Sequence, residues 1–399
     1  MTDFATIEEA CDLVTDGTHY TPKNAGAGIP FLTVKDVTDS GLDFVNCSFI
    51  TEDDYALAKA GSSAPEQGDV LFSKDGTVGK VHVVKNGARF AVLSSLAILR
   101  PRRNRVDSGY LGHVLRLPQV LDEAIKRKTG SAIRRIILSD LKRVRIPLPS
   151  IVEQQRIAEI LDRAEALCAK RRAAISQLDT LTLSIFLDLF GHPVVNPRRW
   201  PLRALGELGA GPGAIVDGPF GSAIDVKRDY VEEGEIPVIR TKNVRPFDFV
   251  TDDLKRITRS KFSTLERSAV IPGDIILTKV GTIGNVCLFP AEFTTAVLST
   301  TGSCRIRPNE NLTRTIYLAY FLHLYRGQMM KLVAEGVQGF LNMSHIKSFR
   351  VPIPPLCLQD DFACRFNAIE GLKTKQRGSL STLDSLFVVL QQRAFRGEL

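Results

Sequence analysis

The stretch whose residue types could most readily bind a ligand or catalyse a reaction is a glycine-rich loop that follows a run of strand-forming residues. It reads GDVLFSKDGTVGK over residues 68–80, and residues 273–285 repeat it as GDIILTKVGTIGN. A Walker A nucleotide loop requires Gly-x-x-x-x-Gly-Lys followed by Ser or Thr. In the first loop Gly79-Lys80 precedes valine, and in the second loop Gly284 lacks the lysine. Both loops therefore fail the test for ATP or GTP binding on residue identity.

Other catalytic arrangements are not indicated. The glycines at 209, 211 and 213 lack the spacing of a dinucleotide fingerprint. The seven cysteines and six histidines are scattered without metal-ligand spacing, and the Asn-Pro-Pro-Tyr type of methylase motif is missing. Asp69 and Asp274 are the best nuclease candidates, but each follows a glycine before a predicted strand, where Asp commonly bonds the nearby backbone. We therefore predict no catalytic residue and no metal site, with a self-contained nuclease or methylase as the less favoured alternative.

We interpret the two loops as β-hairpins that approach phosphate. Small residues, a hydroxyl group and a lysine at a tight turn allow backbone amides and an ammonium group to contact a phosphate closely. The candidates are Lys74 and Thr77 in the first hairpin, and Lys279 and Thr282 in the second. From these residues alone, an ordinary hairpin with an incidental lysine remains the alternative.

The charge of the chain favours a polyanionic partner. Its 399 residues carry a formal net charge of +8 with a pI near 9.1. The basic charge is concentrated, since residues 100–150 hold 13 Lys and Arg against 4 Asp and Glu. The acidic N-terminus lacks the features of an export signal, and no continuous apolar run approaches the roughly 18 residues that span a bilayer. We expect a cytoplasmic protein with reduced thiols and no membrane association.

An internal duplication organises the chain. Five sequence matches recur in the same order at offsets of 205 to 207 residues. They pair 29–37 with 236–244, 68–80 with 273–285, 91–94 with 296–299, 110–111 with 317–318, and 145–149 with 350–354. Short strand patterns, turn signals and some helix within each copy predict two α+β globular domains. The predicted segments are the domain 1–150, a helix over 151–191, the domain 192–355 and a helix over 356–399.

Each copy ends in a predicted long helix. Ser150 and Glu153 have the spacing of a capping box. Apolar residues then alternate three and four positions apart, which is typical of a coiled-coil seam. The predicted seam of the first helix comprises Ile157, Ile160, Ala164, Leu167, Arg171, Ala174, Leu178, Leu181 and Ile185. Gln376 occupies the position of Arg171 in the second helix, and polar seam residues can fix register. Two matched helices most simply pack on each other, although each could instead pack on its own domain.

With these features assembled, the chain resembles the specificity subunit of type I restriction–modification systems over essentially its whole length. The segment IPLPSIVEQQRIAEILD at 146–162 is similar to the conserved central segment of that family. The hairpins and Ile29-Pro30 look like markers of its target recognition domains. One departure is Leu358, which stands where the first copy has Glu153, so the second capping box is lost. The end FRGEL is close to the family's, which predicts a complete chain.

The resemblance implies a non-catalytic DNA-recognition subunit. Its fold would be two target recognition domains separated by two long antiparallel coiled-coil helices. Each domain would read one half of a split, asymmetric double-stranded DNA site. The helices would carry two methyltransferase subunits, and restriction subunits would complete the assembly. S-adenosylmethionine, ATP and Mg²⁺ would belong to those partners, with no cofactor on this chain. A degenerate or orphan DNA-binding scaffold is a further alternative.

Candidate DNA-contacting residues are long polar side chains near predicted turns. In the first copy they are Lys35, Lys74, Thr77, Lys128, Arg134 and Arg135. In the second copy they are Lys227, Arg228, Arg240, Lys242, Lys279, Thr282, Gln338 and Asn342. The helix motif that we assign to partner subunits comprises Glu153, Gln154, Arg156 and Gln359.

Overall fold

The computed structural model describes residues 3–38, 41–126, 136–335 and 339–398, and the chain divides into two compact units. Unit 1 consists of Met1–Ala174 together with Gln376–Leu399. Unit 2 is the continuous stretch Ile175–Lys375. Both long helices cross these limits, so each helix contributes one part to each unit.

The main sheet of unit 1 has four antiparallel strands. Their order across the sheet is Cys11–Asp16, Leu96–Pro101, Val70–Ser73 and Val81–Val83. The strand Val70–Ser73 is buried throughout, with Val70 and Phe72 in one core cluster and Leu71 in another. Because both faces of the strand are covered, its sequence is continuously apolar and does not alternate with polar residues.

The main sheet of unit 2 repeats this arrangement. Its strands lie in the order Ile215–Asp217, Ser303–Ile306, Ile275–Thr278 and Val286–Leu288. In both units the glycine-rich loop joins the last two strands of this order, with Val70 opposite Val83 and Ile275 opposite Leu288. The two predicted hairpins are therefore confirmed.

A second sheet and a short strand pair complete each unit. The second sheet contains Ser48–Ile50, Ile29–Leu32 and Ala91–Val92 in unit 1. In unit 2 it contains Lys255–Ile257, Ile236–Ile239, Ala296–Leu298 and Ala269–Val270. Phe4–Thr6 pairs with Arg145–Pro147, and Leu202–Ala204 pairs with Arg350–Pro352. Apart from the additional strand Ala269–Val270 in unit 2, the strands recur in the same order, which confirms that the chain is an internal duplication of an α+β domain.

Short helices and two-residue strand pairs fill the connections. The α-helices of unit 1 are Ile7–Ala10, Glu52–Ala60, Ser108–Val114, Pro118–Lys126 and Leu138–Lys142. Those of unit 2 are Arg259–Ser263, Thr315–Leu324, Arg326–Glu335 and Met343–Ser348. The 3₁₀ helices are Val34–Asp36, Leu205–Leu208, Thr241–Asn243 and Glu266–Ser268. Val37–Thr38 pairs with Gly41–Leu42, and Val244–Arg245 pairs with Asp248–Phe249.

The two long helices are Ile151–Phe190 and Leu356–Arg396, and they run antiparallel. In unit 1, Nη1 of Arg171 donates to Oε1 of Gln376 at 2.6 Å, so the two predicted polar seam residues meet each other. In unit 2, the rings of Phe186 and Phe362 lie 5.3 Å apart. Lys373 forms an ion pair of 2.6 Å with Asp179 in the same unit. The pairing of the helices is confirmed, and its polar members restrict register.

The predicted seam is wrong at some positions. Leu167 and Leu181 are 51% and 47% exposed, whereas the next residues, Cys168 and Thr182, are buried. The buried residues of this helix are Gln154, Ile157, Ala158, Leu161, Cys168, Thr182, Phe186 and Phe190. Leu161, Cys168 and Thr182 are seven and fourteen residues apart, so the heptad spacing is kept. They lie one position after the predicted Ile160, Leu167 and Leu181. The physical reason is that the helix also packs against the globular part of each unit.

The helix Ile151–Phe190 is long and apolar enough in one stretch to cross a membrane, by length and composition alone. Its most apolar part packs within unit 2, where Phe186 and Phe190 are buried against Tyr317 and Phe362. These contacts cover a minority of the apolar stretch, of which 17% is buried.

Candidate nucleic-acid interface

The turn of each hairpin is built on a buried lysine. In unit 1, Nζ of Lys74 lies 2.8 Å from Oδ2 of Asp16, and the lysine side chain is 3% exposed. In unit 2, Nζ of Lys279 lies 3.3 Å from Oδ2 of Asp217, and the lysine side chain is 4% exposed. Both ammonium groups therefore face inward. We expected these lysines to contact phosphate, but their placement instead indicates that they hold the turn.

The hydroxyl-bearing residues lie at the tips of the turns. Thr77 and Thr282 are exposed, and their backbone carbonyls accept hydrogen bonds from the hydroxyls of Ser73 and Thr278. Oγ of Ser73 also accepts from the amide of Lys80 at 2.7 Å. The buried hydroxyl thus closes the turn, while the threonine at the tip is presented to solvent.

Several loops meet beside the hairpin turn in unit 1. The amide of Lys74 donates to the carbonyl of Ser95 at 3.0 Å, and the amide of Ser94 donates to the carbonyl of Thr18 at 2.9 Å. The amide of Val34 donates to Oγ of Ser95, and the exposed Lys35 follows Val34 directly. We call this surface the hairpin edge of unit 1, and it comprises residues 17–20, 33–36, 74–79 and 93–95.

The hairpin edge of unit 2 comprises residues 218–221, 240–243, 279–284 and 300–302. The amide of Lys279 donates to the carbonyl of Gly302 at 2.7 Å. Gly302 lies beside Thr241 and Val280, so the turn and the segment 240–243 meet at this point. Ile136 and Leu341 reach the two edges, where their amides donate to the carbonyls of Lys74 and Lys279 at 2.8 and 3.2 Å.

The predicted cations of unit 2 are mostly ion-paired. Asp253 accepts from Lys242 at 2.5 Å, from Lys255 at 2.7 Å and from Arg240 at 3.1 Å. These cations, Lys242 above all, hold the pKa of Asp253 far below its usual range. Arg228 pairs with Asp229 in an exposed loop that also carries Lys227. The Lys242–Asp253 pair is half-exposed on both sides, and an ion pair of this kind contributes little to stability.

Five further predicted residues either have a structural role or lie outside the described part of the chain. Oδ1 of Asn342 accepts from the amide of His345 at 2.8 Å, so this side chain caps the helix Met343–Ser348. Lys128, Arg134, Arg135 and Gln338 lie outside the described residues.

Asp69 and Asp274 have the structural role that the sequence predicted for them. Each carboxylate is held by two hydrogen bonds from one arginine, Arg100 at 2.9 Å and Arg307 at 2.7 Å. Each also accepts a backbone amide three residues earlier in the chain. With both oxygens occupied in this way, neither aspartate is arranged as a metal ligand of a nuclease.

A family model described as "Type I restriction modification DNA specificity domain" matches residues 3–177 and 220–376. The chain belongs to this family of type I specificity subunits. Its two matched segments contain the two hairpins, which agrees with the duplicated sheets. The family description thus connects both duplicated domains with DNA specificity.

Known relatives of this specificity subunit cover most of its length. The type I restriction enzyme MjaIX specificity subunit of Methanocaldococcus jannaschii is 22% identical, over 83% of this chain and 77% of that protein. The EcoBI specificity subunit of Escherichia coli is also 22% identical, over 69% and 63% respectively. The crystal structure of the type I S subunit from M. genitalium has a TM-score of 0.58 at 16% identity, covering 99% of this chain and 96% of that one.

The helix motif of this specificity subunit is divided between buried and exposed residues. Gln154 is fully buried, where its amide nitrogen donates to the carbonyls of Arg105 and Pro149 and its oxygen accepts from the amide of Asp107. Gln359 is buried in the equivalent way against Pro354 and Arg314. Gln154 joins the first long helix to the globular part of unit 1, and Gln359 joins the second long helix to that of unit 2. We expected them to serve partner subunits, and their burial indicates a structural role instead.

Glu153 and Arg156 form the exposed part of that motif. The amide of Glu153 donates to Oγ of Ser150 at 3.4 Å, which is one half of the predicted capping box. The Glu153 carboxylate accepts from Arg156 at 3.2 Å.

A histidine–carboxylate group, which the sequence analysis missed, connects the long helix to unit 1. Nε2 of the buried His113 lies 2.8 Å from Oδ1 of Asp162, and Lys85 reaches the same carboxylate at 3.2 Å. Glu165 is nearby and is paired with Arg116 at 2.9 Å. Together with His113 the two carboxylates could hold a metal ion by distance, but each already has a cationic partner. The residues are far apart in sequence, so no local pattern indicated them.

This histidine contact predicts a pH dependence. His113, above all, lowers the pKa of Asp162 to about 2. The ordinary value is about 3.9 in an unfolded chain, so the ionised carboxylate stabilises the fold above about pH 4 and this contribution is lost as the pH falls towards about 2. We expect Asp162→Asn to lose less stability than the wild type between about pH 5 and about pH 2.5, as measured by urea midpoints. The control is Glu159→Gln, whose carboxylate pairs with the exposed Arg163; identical acid slopes for both variants would contradict the prediction.

Proposed function

We propose that each unit reads one half of a bipartite, asymmetric DNA site through its hairpin edge. The observation that carries this proposal is the repetition of the edge. Both units contain a buried lysine paired with an aspartate and a turn with an exposed threonine. Both also contain a tightly packed loop that begins at Asp16-Gly17 or Asp217-Gly218, the Asp-Gly loop. The two edges carry different side chains. A chain with two such edges suits a DNA target whose two halves differ in sequence.

The exposed tips supply the groups that such a site needs. Lys35, Thr77 and Thr282 are exposed on or beside the turns, where they can meet sugar–phosphate oxygens. Arg240 and Lys242 reach the edge of unit 2 and would exchange Asp253 for phosphate on binding. Lys74 and Lys279 act indirectly, because they hold the turns from below.

We further propose that the long helices carry two methyltransferase subunits. Large apolar side chains are exposed along both helices, which is unusual for surfaces that face only water. They are Val152, Leu167, Leu181, Leu183 and Leu187 on the first helix, and Leu372, Leu386, Val388 and Val389 on the second. One structure of similar fold comes from work on complex assembly of the type I R-M system. Restriction subunits would join the same complex.

In this proposal the chain itself is not an enzyme. The arginine-paired Asp69 and Asp274 argue against a nuclease built on these residues. S-adenosylmethionine, ATP and Mg²⁺ would therefore act in the partner subunits. A degenerate or orphan DNA-binding scaffold would keep DNA binding without the methyltransferase partner, so the two possibilities differ in assembly.

The test is co-expression of the chain with a type I methyltransferase subunit from the same organism. We expect a stable complex, adenine methylation at one split sequence in the host genome, and duplex binding that weakens steeply with salt. Duplex binding without a complex would favour the orphan scaffold. A chain that neither joins the methyltransferase nor shifts duplex DNA at low salt would show that the proposal is wrong.

A further inference from the structure

Each hairpin edge exposes flat rings at the same position of its Asp-Gly loop. In unit 2, Phe220 follows Asp217-Gly218 and is 76% exposed. In unit 1, His19 occupies the equivalent position with a side chain that is 74% exposed, and the next residue, Tyr20, is 49% exposed. A phenyl ring exposed to this extent gains little from apolar burial in the folded unit.

The loops that carry these rings are tightly held. A Cβ atom at Gly17 would overlap the carbonyl oxygen of Val92, and one at Gly218 would overlap that of Thr300. The loop backbone is also fixed by serine hydroxyls, since Oγ of Ser63 donates to the carbonyl of Asp16 at 3.3 Å and Oγ of Ser268 donates to that of Asp217 at 3.1 Å. The buried lysines hold the same aspartates by their carboxylates. The rings therefore stand on fixed supports and not on loose loops.

The chemistry of the rings suits bases and not the DNA backbone. A phenyl ring offers no hydrogen-bond donor to a phosphate, but it can contact a thymine methyl group, stack on a base or insert at a base step. Polar groups that suit phosphate, such as Thr282, lie on the neighbouring turn of the same edge. Phosphate contacts on the turn would place the adjacent ring over the base edges.

We propose that Phe220 contacts bases in the half-site read by unit 2, and that His19 and Tyr20 contact bases in the half-site read by unit 1. This inference rests on the proposed function. It assigns sequence-reading contacts to loops that the hairpin motif did not include. The difference between a lone phenylalanine and a His-Tyr pair would help the two units to prefer different bases.

The experiment uses the methyltransferase complex and a fluorescent duplex that carries the split sequence methylated in cells. We expect Phe220→Ala to bind this duplex about tenfold more weakly than the wild type, given the usual worth of a base-stacking ring. Phe220→Trp should bind within about threefold of the wild type. The matched control is Ile271→Ala, an exposed apolar residue of unit 2 that precedes the hairpin strand Ile275–Thr278 at the end away from the turn, and it should leave binding unchanged.

Half-site readout separates a base contact from a structural effect. Scrambling the half-site of unit 2 should weaken the wild type strongly and Phe220→Ala much less, while scrambling the other half should affect both equally. The double variant His19→Ala with Tyr20→Ala should show the reverse pattern. If Phe220→Ala binds as Ile271→Ala does, the inference is overturned and the proposed function stands. If the wild-type complex binds no duplex at low salt, both fail.

Discussion

Inserting one heptad into both long helices should lengthen the preferred spacer between the two half-sites by about three base pairs. Seven helical residues add about 10.5 Å, and stacked base pairs are about 3.4 Å apart. The insertions belong after Ala174 and after Lys375, where the two units meet along the chain. Duplicating residues 168–174 and 376–382 repeats the facing segments that hold Arg171 and Gln376. Methylome sequencing measures the spacer directly.

The control for this change is an insertion in only one helix. It shifts the residue pairs beyond the insertion out of register, beginning with Arg171–Gln376 in unit 1 or Lys373–Asp179 in unit 2. The thermal midpoint of unfolding should therefore fall strongly. The double insertion should retain the midpoint and change the spacer, or lose methylation if the three-pair rotation misaligns the half-sites. A double insertion that methylates the original spacer would contradict the role of the helices in setting the distance.

Replacing Lys279 with methionine should destabilise unit 2 by about 3 kcal/mol, since it removes the buried partner of Asp217 and leaves that carboxylate with the weaker, largely exposed partner Arg267. Asp217 is 18% exposed, which keeps the expected loss at the lower end of the range. The turn and the Asp-Gly loop both depend on this pair, so DNA binding by the hairpin edge should fall as well. Urea unfolding measures the first effect and duplex titration the second.

The same aspartate provides a matched control. Arg267 pairs with Asp217 at 3.3 Å, but its side chain is 65% exposed, so Arg267→Met should cost less than about 0.5 kcal/mol. Adding Asp217→Leu to Lys279→Met should recover part of the loss, because an apolar pair needs no compensation in a buried place. Equal losses in the free energy of unfolding for Lys279→Met and Arg267→Met would show that burial of the lysine does not strengthen its ion pair with Asp217.

Much of the fold could be predicted because the two copies of the domain can be compared with each other within one sequence. The hairpins, the long helices and the duplication depend on local turns, apolar periodicity and order along the chain, and all of these are visible in one dimension. Arg171 and Gln376 were paired by their equivalent positions in the two copies, and the structure joins them by a hydrogen bond. Family membership follows from the same features.

The candidate site was less predictable, because burial is decided by contacts between distant residues. Lys35 and Lys74 both follow short strands, yet the first is exposed and the second is turned inward by Asp16. The Asp-Gly loops with Tyr20 and Phe220 carried a repeated signal in Asp16-Gly17 and Asp217-Gly218, but only packing shows that these glycines are sterically required. The His113–Asp162 contact had no local signal at all.

By itself the sequence determined the duplicated architecture, the paired helices and the absence of a nucleotide-loop motif from the hairpins, since these depend on residue type and spacing. The tertiary structure alone decided which side chains remain for a partner. Gln154 and Gln359 are buried and hydrogen-bonded inside the units, while Phe220 and Thr282 are exposed to solvent. The physical reason is that a polar or charged group enters the interior only where a distant part of the chain supplies its hydrogen-bond or ionic partner.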